Sequence, residues 1–495
     1  MNLIQRFKKL FDPIDLTTGN IRKVFTLFLI PIILSMIFQQ VYSLTDTIIV
    51  GQNLSQSEIA GVNDALPLAY LVLNFTIGCT AGFSLVLSRS IGAKNFKQAK
   101  QSVFVQIVLA LVFSVLLTIV GYFSIDALLA WVKIVPSETN HGMQAIYESA
   151  RTYLVVLFLG GIISQMLYNM IGSILRALGD SFTPFIFLVF SCLLNVVLDL
   201  VFIIPLQMGV LGSALATVLS QMIAAIGAFI YSFFRYKELR LHKEDFKVSF
   251  SFVLDHLKLG VPLGIQWSLI YVGVVIMSGA IIPFDIINAN EMVSGNPAQV
   301  GYGVANKLTG LMMNLFSAIG TAILSFISQN KGAEQYERIR KGFFYALRLT
   351  IFTGIGLIIL GFLLSINGAY EYIFLSKDKV TEKTIYYGNN YLYVALPFFI
   401  PLGFIFLGRN TVQALEKPIF PVLSGFVELI ARTLVCSFLP TLINGGPITS
   451  EANLWSYLIV CFADPITWIL SALVVIVPSF IYIARMKQMT SDIKL

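Results

Sequence analysis

Four side chains that carry oxygen interrupt apolar segments long enough to cross a membrane as helices. They are Asp46, Asn195, Asp199 and Thr217. Placing a carboxylate within the hydrocarbon layer costs roughly 2.5–3.5 kcal/mol even on the most lenient insertion scale, so acids inside membranes usually serve a function. Two such acids in one half of the chain, beside an amide and a hydroxyl, predict a pocket that holds a small cation.

The same four residues are predicted to lie at a similar depth. Asn195 and Asp199 are four positions apart, so their side chains share one face of a helix. If the amino terminus is cytoplasmic, Asp46 and Asp199 fall in the outer halves of the first and fifth spans. Thr217 falls early in the sixth span, which runs inward, and is therefore also in an outer half.

Two kinds of chemistry are open to such a cluster. Neighbouring buried carboxylates repel each other, so they can share a proton. Alternatively, carboxylate, amide and hydroxyl oxygens can replace the hydration shell of a hard cation such as Na⁺. Asn195 and Thr217, each taken alone, are explained more simply by hydrogen bonds between membrane helices.

Composition identifies the elements that must position these residues. Of the 495 residues, 57% are hydrophobic and only 12% are charged, and the mean hydropathy is +0.82. Soluble domains contain about 25% charged residues, so the composition indicates an integral membrane protein. The sequence predicts an all-α fold of twelve membrane helices, at residues 24–50, 60–88, 102–132, 149–174, 183–204, 210–234, 258–282, 301–328, 342–366, 388–408, 419–440 and 453–482.

Basic residues are concentrated in alternate loops, for example at Arg89 to Lys100 and at Arg235 to Lys247. The positive-inside rule then places both termini in the cytoplasm. This distribution explains the net charge of +7 without a nucleic-acid partner, and none is expected. Residues 2–11 have the pattern of a short basic amphipathic helix that lies on the inner membrane surface.

The two halves of the chain resemble each other. The segment Ser-Ile-Gly-Ala-Lys-Asn at 90–95 is matched by Asn-Lys-Gly-Ala-Glu-Gln at 330–335, and 176–184 is matched by 413–421. Pro31 in the first span is matched by Pro262 in the seventh. Matches in order, at an offset of about 240 residues, predict a duplication. We expect an amino-terminal lobe at 1–234, a cytoplasmic connection at 235–257 and a carboxyl-terminal lobe at 258–495, related by a pseudo-twofold axis along the membrane normal.

Several of these segments resemble the multidrug and toxic compound extrusion (MATE) family. The resemblance is carried by Gln39-Gln40-Val41-Tyr42 through Thr45-Asp46 to Gly51, by the Gly92-Ala93 loop, and by Leu178-Gly179-Asp180-Ser181 with Pro184. Asn195 and Asp199 follow in the fifth span. The placement of acidic residues resembles the DNA-damage-inducible (DinF-like) branch, since the seventh span contains no acid.

The resemblance implies a secondary active antiporter that exports organic, usually cationic, drug-like compounds in exchange for H⁺ or Na⁺. It implies a cation-coupling role for Asp46, Asn195, Asp199 and Thr217, with a weaker case for Asn169, and a bend at Pro31. No cofactor beyond the coupling ion and no structural metal are expected. The expected setting is the lipid bilayer of a prokaryotic plasma membrane, with the protein as a monomer.

Polar and aromatic residues within the spans are candidates for a substrate cavity, although each aromatic ring is also explained by packing. The candidates are Gln39, Tyr42, Asp64, Asn74, Gln165, Tyr168, Gln266, Trp267, Tyr271 and Tyr302. Glu428 and Arg432 are four positions apart and are expected to form a structural salt bridge. Asp464-Pro465 in the twelfth span is consistent with a capped break in the helix.

Two other functions are less well supported by the sequence. A lipid-linked oligosaccharide flippase would need cationic groups for a pyrophosphate, and only Arg432 is predicted to lie well inside a span. An intramembrane enzyme is not expected, because the three histidines lie outside the predicted spans and neither HExxH nor GxSxG is present.

Overall fold

The computed structural model describes residues 12–137, 141–288 and 291–492, so the predicted amphipathic segment at 2–11 lies outside the described residues. Within these residues, twelve helices are long and apolar enough to cross a membrane, as the sequence predicts. They are α1 (Ile21–Asn53), α2 (Gln56–Gly92), α3 (Phe96–Trp131), α4 (His141–Ala177), α5 (Phe182–Ile203), α6 (Gly209–Arg235), α7 (Phe250–Ile281), α8 (Pro297–Gly332), α9 (Tyr336–Ser365), α10 (Glu382–Ala414), α11 (Ile419–Asn444) and α12 (Leu454–Asp492).

Short elements join some of these helices. Two 3₁₀ turns, Lys237–Leu239 and Lys243–Phe246, lie between α6 and α7. Strands β1 (Ile286–Asn288) and β2 (Glu291–Met292) form a small antiparallel pair after α7, with Ile286 opposite Met292. A single helical turn, Glu371–Phe374, lies between α9 and α10.

Side-chain caps fix where several helices begin. The Asn20 side chain accepts hydrogen bonds from the backbone amides of Arg22 and Lys23 at the start of α1. Ser55 and Glu58 form a reciprocal capping box at the start of α2. These caps satisfy amide groups that have no partner within the helix.

Proline residues do not break the long helices. Helix α12 continues through Pro465, so the predicted break at Asp464-Pro465 is absent. Pro465 cannot donate to the carbonyl of Cys461 four residues before it. Membrane helices tolerate such a loss where neighbouring groups satisfy the freed carbonyl.

The described chain divides into two compact units. Of the described residues, the first unit comprises those up to Ser268 together with Ser325–Ile339, and the second comprises Leu269–Leu324 and those from Arg340 onward. Phe83, Met166 and Ile174 belong to the apolar core of the first unit, between α2, α3 and α4. Phe316, Phe399 and Trp468 belong to the core of the second unit, between α8, α10 and α12.

The turns of the two matched segments have the same backbone geometry. Lys94 and Glu334 are both left-handed, with φ of 54° and 57°, and Gly179 and Glu416 are left-handed with φ of 90° and 61°. After α2, the amides of residues 93, 94 and 95 donate to carbonyls 89, 91 and 90, and after α8 the amides of residues 333, 334 and 335 donate to carbonyls 329, 331 and 330. This correspondence in hydrogen bonding supports the duplication inferred from the sequence.

Two glycines of the repeated loops lie in one close contact within the first unit. A Cβ atom on Gly92 would meet the Gln329 backbone, and one on Gly332 would meet the Arg89 backbone. The reciprocal contact lets the ends of α2 and α8 touch backbone to backbone. Small residues are what permits such close approach between membrane helices.

Candidate functional site

Three helices of the first unit supply the predicted cation site. Helix α1 carries Asp46, α5 carries Asn195 and Asp199, and α6 carries Thr217. Helix α5 packs against both α1 and α6, so it brings the three sets of side chains together. The i, i+4 spacing of Asn195 and Asp199 directs both toward the same interior face, where they are 1% and 0% exposed.

The four side chains form one cluster. The carboxyl groups of Asp46 and Asp199 lie within hydrogen-bonding reach of each other. The Asn195 Nδ2 donates to Thr217 Oγ1 at 3.4 Å, and the Thr217 hydroxyl donates to the Ser213 carbonyl at 3.2 Å. The acids and the polar pair therefore meet at the junction of α1, α5 and α6.

Four oxygens of this cluster have no hydrogen-bond donor among the described residues. Asp46 Oδ1, both carboxylate oxygens of Asp199 and Asn195 Oδ1 are buried and accept no hydrogen bond. A buried acceptor without a donor costs about 1–3 kcal/mol, and more when it is charged. Two adjacent carboxylates cannot donate to each other while both are ionised. A proton or a small hard cation would give these oxygens a partner and would also offset the adjacent negative charges. The residues present therefore fit such an ion.

Two tyrosines extend the cluster. Tyr42 lies one turn before Asp46 on α1, and its hydroxyl is within hydrogen-bonding reach of Thr217 and close to both acids. Tyr153 on α4 is 7% exposed and is also an electrostatic neighbour of Asp46 and Asp199. Sequence reasoning placed Tyr42 only among cavity residues and missed Tyr153. Tyr153 lies near the outer end of the fourth predicted span, at the depth of the acids, but depth alone does not show which way its side chain faces.

A π-helical turn at Leu157–Gly161 follows Tyr153 within α4. The Thr118 hydroxyl on α3 donates to the Phe158 carbonyl in this turn at 3.0 Å. Single π turns within α-helices occur often at functional sites, because they re-aim the side chains beside them. Here the irregular turn adjoins the segment that delivers Tyr153 to the acids.

Asn169 and Pro31 lie away from the cluster. Asn169 is sixteen residues after Tyr153 on α4, which is roughly 24 Å along a helix axis, and its buried Nδ2 donates no hydrogen bond. Helix α1 continues through Pro31, whose carbonyl accepts a hydrogen bond from the Ser35 hydroxyl at 2.7 Å. The bend at Pro31 remains a prediction.

The candidate cavity residues are distributed over both units. In the first unit, Asn74 and Gln266 are buried, Tyr42, Gln165, Tyr168 and Trp267 are half-buried, and Gln39 and Asp64 are exposed. In the second unit, Tyr271 is half-buried. Tyr302 is buried and packs edge-to-face against Tyr391, with ring centroids 5.0 Å apart. Tyr302 therefore belongs to the packed core of its unit.

A chain of buried charges crosses the second unit. Arg432 Nη2 lies 2.6 Å from Asp464 Oδ1, and Arg409 Nη2 lies 2.6 Å from Glu428 Oε2. The predicted pair of Glu428 and Arg432 is present at 4.0 Å, but both residues have these shorter partners on neighbouring helices. Tyr391 completes the chain by donating to Asp464 Oδ2 at 2.8 Å. The four charged groups sum to zero, so the chain binds α10, α11 and α12 together without net charge.

Sequence reasoning missed Arg409 because the tenth span was predicted to end at residue 408. The helix extends to Ala414, so Arg409 lies inside it and is buried. The expectation that only Arg432 lies well inside a span is therefore wrong. Lys307 in α8 and Arg348 in α9 also lie within predicted spans, and both are exposed.

Comparisons with known proteins agree on the family. A model of the MatE family matches residues 31–201 and 267–438. Two proteins of Bacillus subtilis are similar: the probable multidrug resistance protein YoeA, 29% identical over 64% of this chain and 66% of its own length, and YpnP, 30% identical over 66% and 68%. A FAD transporter of Shewanella oneidensis is 22% identical over 82% of this chain and 84% of its own length.

The fold is also that of a solved structure, described as the outward-facing conformation of a multidrug resistance MATE family transporter. The two share 21% identity and a TM-score of 0.81, over 96% of this chain and 99% of that chain. At this identity the likeness shows the fold alone. The family match covers well over half of the sequence, in two segments that correspond to the duplicated halves. The chain therefore belongs to the MatE family of multidrug efflux transporters.

Proposed function

We propose that this protein is a secondary active antiporter that couples inward movement of H⁺ or Na⁺ to the export of organic compounds. The observation that carries the proposal is the buried pair of Asp46 and Asp199, whose oxygens face one another without donors. We propose that both termini lie in the cytoplasm, on the strength of the alternating basic loops. The bacterial relatives support a prokaryotic plasma membrane as the setting, and we propose that the protein acts there as a monomer.

The site can exist in two states. With a proton or Na⁺ bound, the negative charge of the two carboxylates is offset and α1 can stay packed against α5. Without the cation, two adjacent charges repel, and separation of α1 from α5 or entry of water becomes favourable. The cation thus stabilises one arrangement of the helices over the other. Such differential binding is what a coupled transporter requires.

The membrane potential limits how much work one cation supplies. Moving one charge across about 150 mV releases roughly 3.5 kcal/mol, which corresponds to a gradient of roughly 300-fold. If one cation exchanges for one monovalent cationic compound, the electrical terms cancel and only the chemical gradient of the ion drives export. A zwitterionic or anionic compound would leave electrical work available.

The exported compound is proposed to be an amphipathic drug-like molecule. The family resemblance favours a cationic compound, and two relatives are named for multidrug resistance, whereas another is named as a FAD transporter. The alternative of a lipid-linked oligosaccharide flippase is less well supported. Arg409 and Arg432 are already paired with Glu428 and Asp464, and Lys307 supplies a single positive charge, whereas a pyrophosphate carries more than one negative charge.

Dye efflux from reconstituted vesicles tests this proposal under proton and sodium gradients imposed separately. Wild-type protein is expected to drive efflux against a gradient with one of the two ions. Asp46→Asn and Asp199→Asn are each expected to abolish that coupling, since each removes one of the two carboxylates that hold the cation. Each variant should retain folded protein, because asparagine has nearly the same shape as aspartate. Efflux by both variants at the wild-type rate would refute the assigned site.

A matched control is Asp126→Asn in the same unit. Asp126 is an exposed acid on α3 whose partner is Arg151 at 3.0 Å, and both side chains are in contact with solvent. An exposed ion pair contributes about 0–1 kcal/mol, so this variant should keep coupled efflux. Loss of coupling in the control would mean that any change of charge in this lobe disables transport.

A further inference from the structure

Helix α8 of the second unit has two faces of opposite character. One face carries Tyr302, Met312 and Phe316, which are buried in the apolar core. The opposite face has a regular spacing of small and polar residues, namely Gly303, Lys307, Gly310, Asn314, Ser317 and Thr321. The positions repeat every three to four residues, so the polar residues form one stripe along the helix.

This stripe does not have the composition of a surface in contact with lipid. On α9 of the same unit, the exposed side chains between residues 352 and 363 are all apolar and include Phe352, Ile355, Ile359 and Leu363, as expected beside hydrocarbon. Lys307 lies ten residues into α8, roughly 15 Å along its axis, and within the membrane span predicted at 301–328. Charged residues at such depth face a bundle interior or a water-filled cavity. The polar stripe of α8 therefore borders water.

No residue that the structure describes neutralises the charge of Lys307. Within residues 12–137, 141–288 and 291–492, no hydrogen bond or ion pair engages its ammonium group. Arg409 and Arg432, the buried cations of this unit, differ in that each has a carboxylate at 2.6 Å. Lys307 thus supplies an unpaired positive charge on the aqueous face of α8.

The surface around Lys307 has room for a ligand. Nothing lies within 4 Å of a Cβ atom placed on Gly303 or Gly310, the residues one turn before and one turn after Lys307. Two glycines expose bare helix backbone on either side of the ammonium group, so a flat ring can lie against α8. The half-buried amide of Asn314, a further turn along, adds a polar group to the same face.

We infer that Lys307 holds a negatively charged group of the transported compound, a carboxylate or a phosphate, while the aromatic body lies against Gly303 and Gly310. The inference rests on the proposed export function and assigns its substrate class. The cargo is an aromatic amphiphile that carries an anionic group, zwitterions included. A simple lipophilic cation is disfavoured here, because the unpaired ammonium repels it.

Two xanthene dyes form a matched pair of probes. Rhodamine 110 carries a free carboxylate, and rhodamine 123 is its methyl ester with the same cationic ring system. Binding of each dye to the purified full-length protein in detergent is measured by fluorescence anisotropy at pH 8. Wild-type protein is expected to prefer rhodamine 110. Lys307→Met should weaken binding of rhodamine 110 about tenfold or more, as expected for loss of a charged contact, and should change rhodamine 123 less than twofold.

Two further variants separate charge from packing. Lys307→Arg keeps the positive charge and should restore binding of rhodamine 110 to within about threefold of wild type. Lys383→Met removes an exposed lysine from the first turn of α10 and should change neither dye. Competition by benzoate and by phenyl phosphate then identifies the preferred anionic group, since the stronger competitor carries it.

The binding assay gives an outcome separate from that of transport. Rhodamine 110 binding that depends on Lys307, in a protein that exports neither dye, would support the inference and count against the proposed antiport. Export that depends on Asp199 would support antiport. Equal affinity of the protein for the two dyes, or affinities for both dyes that are unchanged in Lys307→Met, would overturn the inference. The latter result would mean that Lys307 extends its ammonium group toward the membrane surface.

Discussion

Replacing Asp199 by asparagine should make the protein more stable while it abolishes coupling. Asp199 is fully buried beside Asp46, and neither of its carboxylate oxygens has a donor. At an effective dielectric constant of about 20, two charges roughly 4 Å apart repel each other by about 4 kcal/mol. Uptake of a cation already relieves part of this repulsion in the wild type. Removing the Asp199 charge therefore stabilises the variant only by the part of the repulsion that remains.

The substituted amide also supplies a hydrogen bond. Its NH₂ group can donate to the Asp46 carboxylate, and a hydrogen bond to a charged acceptor contributes about 1.5–3 kcal/mol. Together these effects predict that the free energy of unfolding of Asp199→Asn is about 1–3 kcal/mol higher than that of the wild type at pH 8 without Na⁺. Few substitutions at fully buried positions stabilise a protein, so the sign of the effect is itself diagnostic.

Unfolding of purified protein in mixed detergent micelles measures this difference, followed by circular dichroism at several Na⁺ concentrations and pH values. If the site binds Na⁺, a concentration 100 times the dissociation constant should stabilise the wild type by about 2.7 kcal/mol and should not stabilise the variant. If the site binds a proton, lowering the pH should instead reduce the difference in free energy of unfolding between the variant and the wild type. A variant that is less stable than wild type under every condition would refute the reasoning, because Asp199 would then have a favourable partner.

Two further predictions concern the second unit. Arg432→Met should lower the free energy of unfolding by about 3–5 kcal/mol, because it leaves Asp464 buried without its partner at 2.6 Å. The double variant Arg432→Met with Asp464→Asn should recover most of that loss in the same unfolding assay. Burial raises the pKa of the Glu371 carboxyl, although hydrogen bonds from Thr384 and Tyr370 oppose this. The folded state then binds a proton more tightly than the unfolded state. The free energy of unfolding therefore falls as the pH rises from about 4.3 to the pKa of the folded state, by at most about 1.4 kcal/mol per pH unit. Glu371→Gln should remove this dependence in thermal unfolding between pH 4 and 8, whereas an unchanged pH profile would show that Glu371 does not titrate differently on folding.

Most of the fold follows from local patterns in the sequence. Long apolar runs predict the twelve helices, because a backbone in hydrocarbon must satisfy its own hydrogen bonds. The repeated Gly-Ala turns predict the duplication, and the matched φ angles of Lys94 and Glu334 support it. Predicted boundaries were less accurate. Helix α7 begins at Phe250, eight residues before the predicted span, because hydropathy does not report where a helix extends beyond the apolar layer.

The candidate site was predicted in part. Matching depth grouped Asp46, Asn195, Asp199 and Thr217, and the structure brings these four together. Depth alone leaves open which way each helix is turned, so it could not identify Tyr153 as a neighbour of the acids. The same limit explains the charge chain of the second unit. The i, i+4 rule finds partners on one helix, whereas the shortest partner of Arg432 lies on another helix.

The sequence by itself determined which polar groups lie within the membrane segments and how far along each helix they lie. Both properties depend on residue type and on a fixed rise per residue. Only the tertiary structure decided which of these groups are paired. It neutralises Arg409 and Arg432 with carboxylates, and it leaves Asp199 without a donor and Lys307 without an anion. Pairing depends on how the helices are rotated and packed against one another, and that packing is set by contacts between residues far apart in the chain.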